Sequence, residues 1–177
     1  MVFRAVAALA LVVLAILLIA AFRRGTIQIQ RSRNIQAPPD KVFALIDDFH
    51  NWKQWAPQDV EDPTMKRTFS GAEHGLGAAS EWSGSGNSGK GSMSIIESEP
   101  PRRISIKVDF VKPFQAHNVN EFTLEPVGAS TLVTWKMHGT NAYFMKVMSI
   151  FVNIDKVMGE HFEHGLDNLK MVCEKQH

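Results

Sequence analysis

A single cysteine, Cys173, stands among the 177 residues, so an intrachain disulfide is excluded and the fold must be held by its core alone. Charge of one sign is also lacking: 19 basic side chains face 18 acidic ones, a formal net charge of +1. Even that small excess belongs to Arg4, Arg23 and Arg24, without which 16 basic and 18 acidic residues leave a formal charge of −2. No basic footprint for nucleic acid exists in such a chain. The later apolar runs have only short connections between them, which leaves no room for crossover helices and disfavours a doubly wound parallel sheet.

Long apolar runs, by contrast, are present once. Ala5 to Phe22 is an 18-residue stretch with no charged or strongly polar side chain, flanked by Arg4 and by Arg23-Arg24. As a helix it reaches about 27 Å, close to the ~30 Å hydrocarbon core of a bilayer. A cleaved secretory signal would need small residues at its cleavage site, and Leu18-Ile19-Ala20-Ala21-Phe22 offers no good Ala-x-Ala. The favoured expectation is an uncleaved single-pass anchor over residues 5–22, with a cleaved signal or a buried helix as alternatives. Because Arg23 and Arg24 follow the run, the positive-inside tendency places the remaining chain on the cytoplasmic side. The division expected is therefore an anchor over 1–24 and one folded domain over 25–177, long enough for a sizeable core.

Within that domain the period of hydrophobicity changes twice. Thr26 to Ile35 alternates Ile27 and Ile29 with Gln28 and Gln30, which predicts a strand, although Arg31 and Arg33 interrupt its apolar face. Pro38-Pro39 ends it and opens a helix from about Asp40, with Val42, Phe43, Ile46 and Phe49 on one face and Trp52 and Trp55 continuing the spacing to Pro57. Strands are then expected at Ser92–Glu97, Arg103–Val111, Asn118–Glu125 and Ser130–His138, where Ile104, Ile106, Val108 and Phe110 alternate with polar residues. From about Tyr143 to Cys173, Val147, Met148, Phe151, Ile154, Met158, Phe162, Leu166 and Leu169 recur every three or four residues. One long amphipathic helix is predicted there, with Gly159 and Gly165 marking a bend or close packing.

A family resemblance rests on particular segments. Ile35-Gln36-Ala37-Pro38-Pro39-Asp40-Lys41-Val42-Phe43-Ala44, followed by Asp48-Phe49-His50-Asn51-Trp52-Lys53-Gln54-Trp55, resembles the opening of the START/Bet v1-like (SRPBCC) superfamily, in its polyketide cyclase/dehydrase and lipid transport group. Gly71 to Gly77, Glu81-Trp82-Ser83-Gly84, Phe110-Val111-Lys112-Pro113-Phe114 and Val133-Thr134-Trp135 resemble later parts, so that the likeness covers residues 27–170. The resemblance implies an α+β helix-grip fold: a curved antiparallel sheet of seven strands around the C-terminal helix, here preceded by the transmembrane helix. It also implies a hollow between sheet and helix that takes lipids, sterols, polyketides or other apolar molecules.

Motifs that carry chemistry are few. Gly84 to Gly89 fits the letters G-x-G-x-x-G, but the residues after it read as a strand, and Gly91 replaces the Ser or Thr a phosphate loop needs after Lys90; a turn is expected. His161 and His164 lie three apart beside Glu160 and Glu163, yet match no metal motif and have no third ligand; they read as exposed and solvated. Asp47, Asp48, Asp59, Glu61 and Asp62 read as caps and surface acids rather than as a catalytic pair. Neither metal nor cofactor is expected. The candidate lining of the implied hollow is aromatic and methionine-rich: Phe49, Trp52, Trp55, Trp82, Phe110, Phe122, Trp135, Met148, Phe151, Met158 and Phe162. Asn118, Asn120, Thr134 and His138 are polar residues able to give directional contacts. The function expected is membrane-tethered binding of an apolar small molecule or lipid, the alternatives being a cyclase, aromatase or dehydrase-like enzyme and a non-catalytic structural module.

Overall fold

A computed structural model describes residues 2–22, 25–84, 89–112, 115–140 and 143–175. Helix α1 (Val2–Phe22) precedes strand β1 (Thr26–Ile35), then come α2 (Pro39–Asp47), a 3-10 turn (Phe49–Gln54) and the short α3 (Pro57–Glu61). Strands β2 (Lys66–Gly71), β3 (Ala78–Ser83), β4 (Lys90–Glu99), β5 (Arg103–Lys112), β6 (Ala116–Val127) and β7 (Ser130–Thr140) follow, and α4 (Tyr143–Phe151) and α5 (Ile154–Glu174) close the fold.

All seven strands belong to one antiparallel sheet in the order β1-β7-β6-β5-β4-β3-β2. The consecutive strands β2 to β7 are a meander, and β1 returns the chain to its far edge by pairing along all ten of its residues with β7. Register assigns the faces. Ile104, Phe122, Trp135 and Arg31 stand opposite one another across four strands, and Ile95, Ile106, Asn120, Met137 and Ile29 form the next row. Residues two apart share a face, so this is the surface on which α5 lies, and the expected alternation in β5 and β7 is borne out. The principal core runs from Ile29 to Cys173 between that surface and helices α2 and α5.

Arg31 and Arg33, which interrupt the apolar face of β1, are matched by acids of α5. Arg31 Nε donates to Glu163 (2.8 Å) and its Nη2 meets Asp155 (3.1 Å), while Arg33 Nε meets Asp167 at 2.7 Å. The two arginines set α5 along the sheet edge. Gly159 is where the Arg31 guanidinium crosses the helix, and Gly165 is where Trp135 and Pro57 press against it. Both glycines mark close packing.

Three expectations need correction. Among the described residues no helix is long and apolar enough to cross a membrane. The transmembrane helix over residues 5–22 is therefore not supported, and with it fall the single-pass localisation, the membrane partner, the tether and the cytoplasmic-side placement. The run is helical within α1, but Ala20 is fully buried and α1 packs against α4, so protein rather than lipid covers part of that helix. Second, the C-terminal helix is two helices: Asn153 Oδ1 accepts from the Lys156 amide (3.1 Å), an N-cap that ends the periodic stripe at Val152 and restarts it at Ile154. Third, the helix from Asp40 does not extend to Pro57. Asp48 accepts from the His50 amide (2.8 Å) and begins a 3-10 turn that carries Trp52, whose indole bonds to Ile46 O (2.9 Å). Strands β2 and β3 add to those expected from periodicity; β2 is exposed at five of its six positions and has no apolar face to announce it.

The Gly84–Gly89 segment lies between β3 and β4, with the Gly84 amide bonded to Gly89 O at 2.8 Å and Gly89 at φ 61°. Those two ends fit a strand turn; Ser85 to Ser88 lie outside the described residues.

Candidate functional site

The aromatic residues singled out from sequence fall into three groups. Trp52, Trp55, Phe122, Trp135 and Phe162 form one connected cluster, with Phe49 edge-on to Trp52 at 5.3 Å. Ring centroids of Trp52 and Trp55 are 4.9 Å apart, those of Phe122 and Trp135 also 4.9 Å, and Trp135 stacks on Phe162 of α5 at 4.2 Å with planes only 4° apart. All six are buried. Such edge-to-face and stacked contacts between fully desolvated rings make this a packed wall joining sheet, 3-10 turn and helix.

Trp82 and Phe110 form a second group nearer the β2 edge, edge-on at 5.4 Å. Trp82 lies over Gly91, its register partner, where a Cβ would collide with the indole. The third group does not join them: Phe151 of α4 is 66% exposed, Met148 is half-buried on the same helix, and only Met158, on the first turns of α5, packs against the core.

Between the packed wall and the α4–α5 corner, the inner surface of the sheet changes chemistry. Val108, Asn118 and Gly139 stand in one row and Ile106, Asn120 and Met137 in the next. Gly139 leaves the space that the Asn118 amide occupies. Asn118 and Asn120 are each only 8% exposed, so two carboxamides are buried among Ile106, Val108 and Met137. Asn120 Oδ1 has no hydrogen-bond partner in the protein, and neither does the indole nitrogen of Trp135, diagonally adjacent on β7. A buried polar atom left unpaired costs about 1–3 kcal/mol, and here two such atoms lie on adjoining strands. Periodicity could not have found them, because it assigns a face without telling which polar atoms lack a mate.

The acids near the aromatic segment are engaged elsewhere. Arg67 grips Asp59 through two bonds of 2.6 Å, both side chains under 10% exposed, and its Nη1 donates to Ser80 Oγ, which pins α3 over β2 and β3. Asp47 is buried, accepting from Ser98 Oγ (2.8 Å) with His74 at 3.4 Å, and Asp62 accepts from the Thr64 amide. Asp47 and Asp59 are thus buried partners rather than the surface acids expected. His161 also departs from expectation. It is half-buried, and desolvation holds its pKa below the ordinary histidine value, opposed by Glu61 and assisted by His164, which is exposed as expected. Among the described residues, no cluster of three potential ligands could hold a metal ion. Burial pushes the Cys173 thiol up to about 11, far from a reactive thiolate. A separate depression of about 710 Å³ is lined by Gln28, Ile96, Lys107, Val119 and His138 among others; none of the aromatic or methionine candidates lines it, whereas the polar candidates Asn118 and His138 do.

With this geometry in place, comparison with known proteins is decisive for the family. Residues 26–174 match the family described as polyketide cyclase / dehydrase and lipid transport. The chain belongs to that family. Its fold is shared by solved structures of low identity: protein CV1439 from Chromobacterium violaceum (16% identical, TM-score 0.59, 85% of this chain and 97% of that one) and protein MLL2253 from Mesorhizobium loti (18%, 0.60, 85% and 99%). CalU16 from Micromonospora echinospora is a further likeness, 19% identical with a TM-score of 0.51, over 83% of this chain and 81% of that one. Comparison with curated proteins gives no match. Membership of the polyketide cyclase / dehydrase and lipid transport family agrees with the helix-grip arrangement of β1–β7 around α5, and the resemblance read from Ile35–Trp55 and Val133–Trp135 is borne out at the level of the superfamily.

Proposed function

We propose that the domain over residues 25–177 binds an apolar small molecule between the sheet and α5, without a covalent step of its own. The observation that carries this reading is the pair of buried, partnerless polar atoms, Asn120 Oδ1 and Trp135 Nε1, beside Ile106, Met137 and Phe122 on the inner surface. A purely structural core gains nothing from them, since an apolar side chain of the same shape removes the penalty. A ligand pocket uses such atoms differently, with much apolar area for affinity and a few polar groups for orientation. Family membership supports the same conclusion. Trp82, Phe110, Met158 and the buried rings of Trp135 and Phe162 are the apolar lining in this proposal, whereas Trp52, Trp55, Phe49 and Phe122 are its packed floor. Met148 and Phe151 border its mouth at the α4–α5 corner.

Enzymatic alternatives lack a matching observation, because the buried acids Asp47 and Asp59 are occupied by Ser98 and Arg67. The test is native mass spectrometry of gently purified protein, combined with fluorescence titration by the neutral apolar probe N-phenyl-1-naphthylamine. A retained apolar molecule near one per chain, or saturable probe binding that such a molecule displaces, is the expected result. Neither retained cargo nor probe binding would overturn the proposal.

A further inference from the structure

The same two atoms restrict the chemistry of the cargo. We infer that the ligand is a neutral apolar molecule carrying a hydroxyl group, held by donating to Asn120 Oδ1 and accepting from Trp135 Nε1, and not an anionic lipid; this rests on the binding site proposed above. Asn120 Oδ1 can only accept and an indole N–H can only donate, so a group that satisfies both must do both. A hydroxyl is the smallest group with that capacity. An ether or ester oxygen meets only the indole, and a carboxylate offers acceptors to an acceptor.

Register places Asn120 and Trp135 on adjoining strands, diagonally adjacent on one face. In an indole Nε1 lies across the ring system from Cζ3, and it is Cζ3 of Trp135 that faces Gly165, with Pro57 beside it. The nitrogen edge is thereby directed away from α3, toward the row that holds Asn120 and Met137. Contacts of β1 with α5 give the same polarity: Arg31 meets Asp155 and Glu163, and Arg33 meets Asp167 farther along the helix. The row of Asn120 and Met137, one step back along the sheet from Arg31, therefore lies under the first turns of α5.

Charge argues against an anion. The three arginines on the inner surface are already matched, Arg31 by Asp155 and Glu163, Arg33 by Asp167 and Arg67 by the bidentate Asp59. A carboxylate or phosphate entering between Asn118, Asn120 and Trp135 would be stripped of water with no cation to meet it, which drives such a group out or neutralises it. A neutral hydroxyl loses one water and gains two hydrogen bonds.

The test uses the full chain and chain-matched competitors for N-phenyl-1-naphthylamine: 1-decanol, decyl methyl ether and decanoate at pH 8. Decanol is expected to displace the probe at a concentration about ten-fold lower than the ether or decanoate, about the effect of one or two buried hydrogen bonds. Asn120→Leu, close in shape, should erase the preference for decanol over the ether, and Trp135→Phe, which keeps a stacking ring on Phe162, should weaken both about ten-fold. Thermal unfolding of each variant, and its affinity for the probe alone, separate a lost contact from a lost fold. Equal displacement by alcohol and ether, or strongest displacement by decanoate, overturns the hydroxyl assignment while probe binding leaves the site standing. No probe binding to the unmodified protein overturns the site itself, and this assignment with it.

Discussion

Two glycines on the terminal helix, Gly159 and Gly165, look alike in sequence and differ in what they permit. At Gly165 a Cβ would stand 2.7 Å from Trp135 Cζ3 and 3.1 Å from Pro57, against a ring held by Phe162 and a proline held by α3. At Gly159 the obstacle is the guanidinium of Arg31, the far end of a flexible side chain whose pairs are part-exposed. Alanine gains about 1 kcal/mol of helix propensity at either site. We expect Gly165→Ala to lower stability by roughly 1–3 kcal/mol net, the range for overpacking a rigid contact, and Gly159→Ala to be neutral within about 0.5 kcal/mol, since the displaced surface ion pairs contribute little. Urea unfolding of the two variants checks the pair; equal losses would show that Arg31 is as immobile as Trp135. The sequence pattern placed both glycines on the terminal helix, but not which neighbour each one admits, because that neighbour comes from β1 in one case and from β7 and α3 in the other.

Between elements, the seam of α3 and α5 contains a titrating group. Burial disfavours the charged form of His161, so its folded pKa lies below the unfolded value of about 6.5. Glu61 on α3 pulls it up and His164 on its own helix pushes it down, but desolvation leads. With the folded pKa depressed, the unfolded chain binds more protons in the window below 6.5, so this contribution to stability is present above pH 6.5 and is lost as pH falls through the folded value. We expect the unfolding free energy to decline from pH 7 to pH 5 with a component that His161→Gln removes, and the His161 ring resonances to titrate below the ordinary histidine value of about 6.5. A His161 midpoint above 6.5 would mean that Glu61, not desolvation, governs the seam. At this scale the sequence was informative only where an element has a stripe. The alternating β5 and β7 and the periodic α5 were legible; the exposed β2 was not, and the break at Asn153 was hidden because α4 resumes the same three-four spacing before it.

For the whole molecule, the relation of α1 to the remainder decides what the folding unit is. The principal core cluster extends from Ile29 to Cys173, and among the described residues none of α1 belongs to it; Ala20 is buried outside it. β1 closes the sheet through its own ten-residue register with β7 and its arginine bonds to α5, so the chain downstream of α1 has both sheet edges and the helix grip in place. What α1 does touch is α4, the helix beside the proposed mouth. A fragment of residues 25–177 is therefore expected to unfold cooperatively, with a midpoint within a few degrees of the full chain, because little principal-core area is lost and stability follows buried apolar area. Its probe affinity should change more than its stability, since α4 loses a neighbour next to Met148 and Phe151 while the floor around Trp135 is untouched. Circular dichroism melting and probe titration of the fragment beside the full chain measure both quantities. An unfolded fragment would make α1 part of the domain core, and the boundary at residue 25 would then be wrong even though β1 begins there.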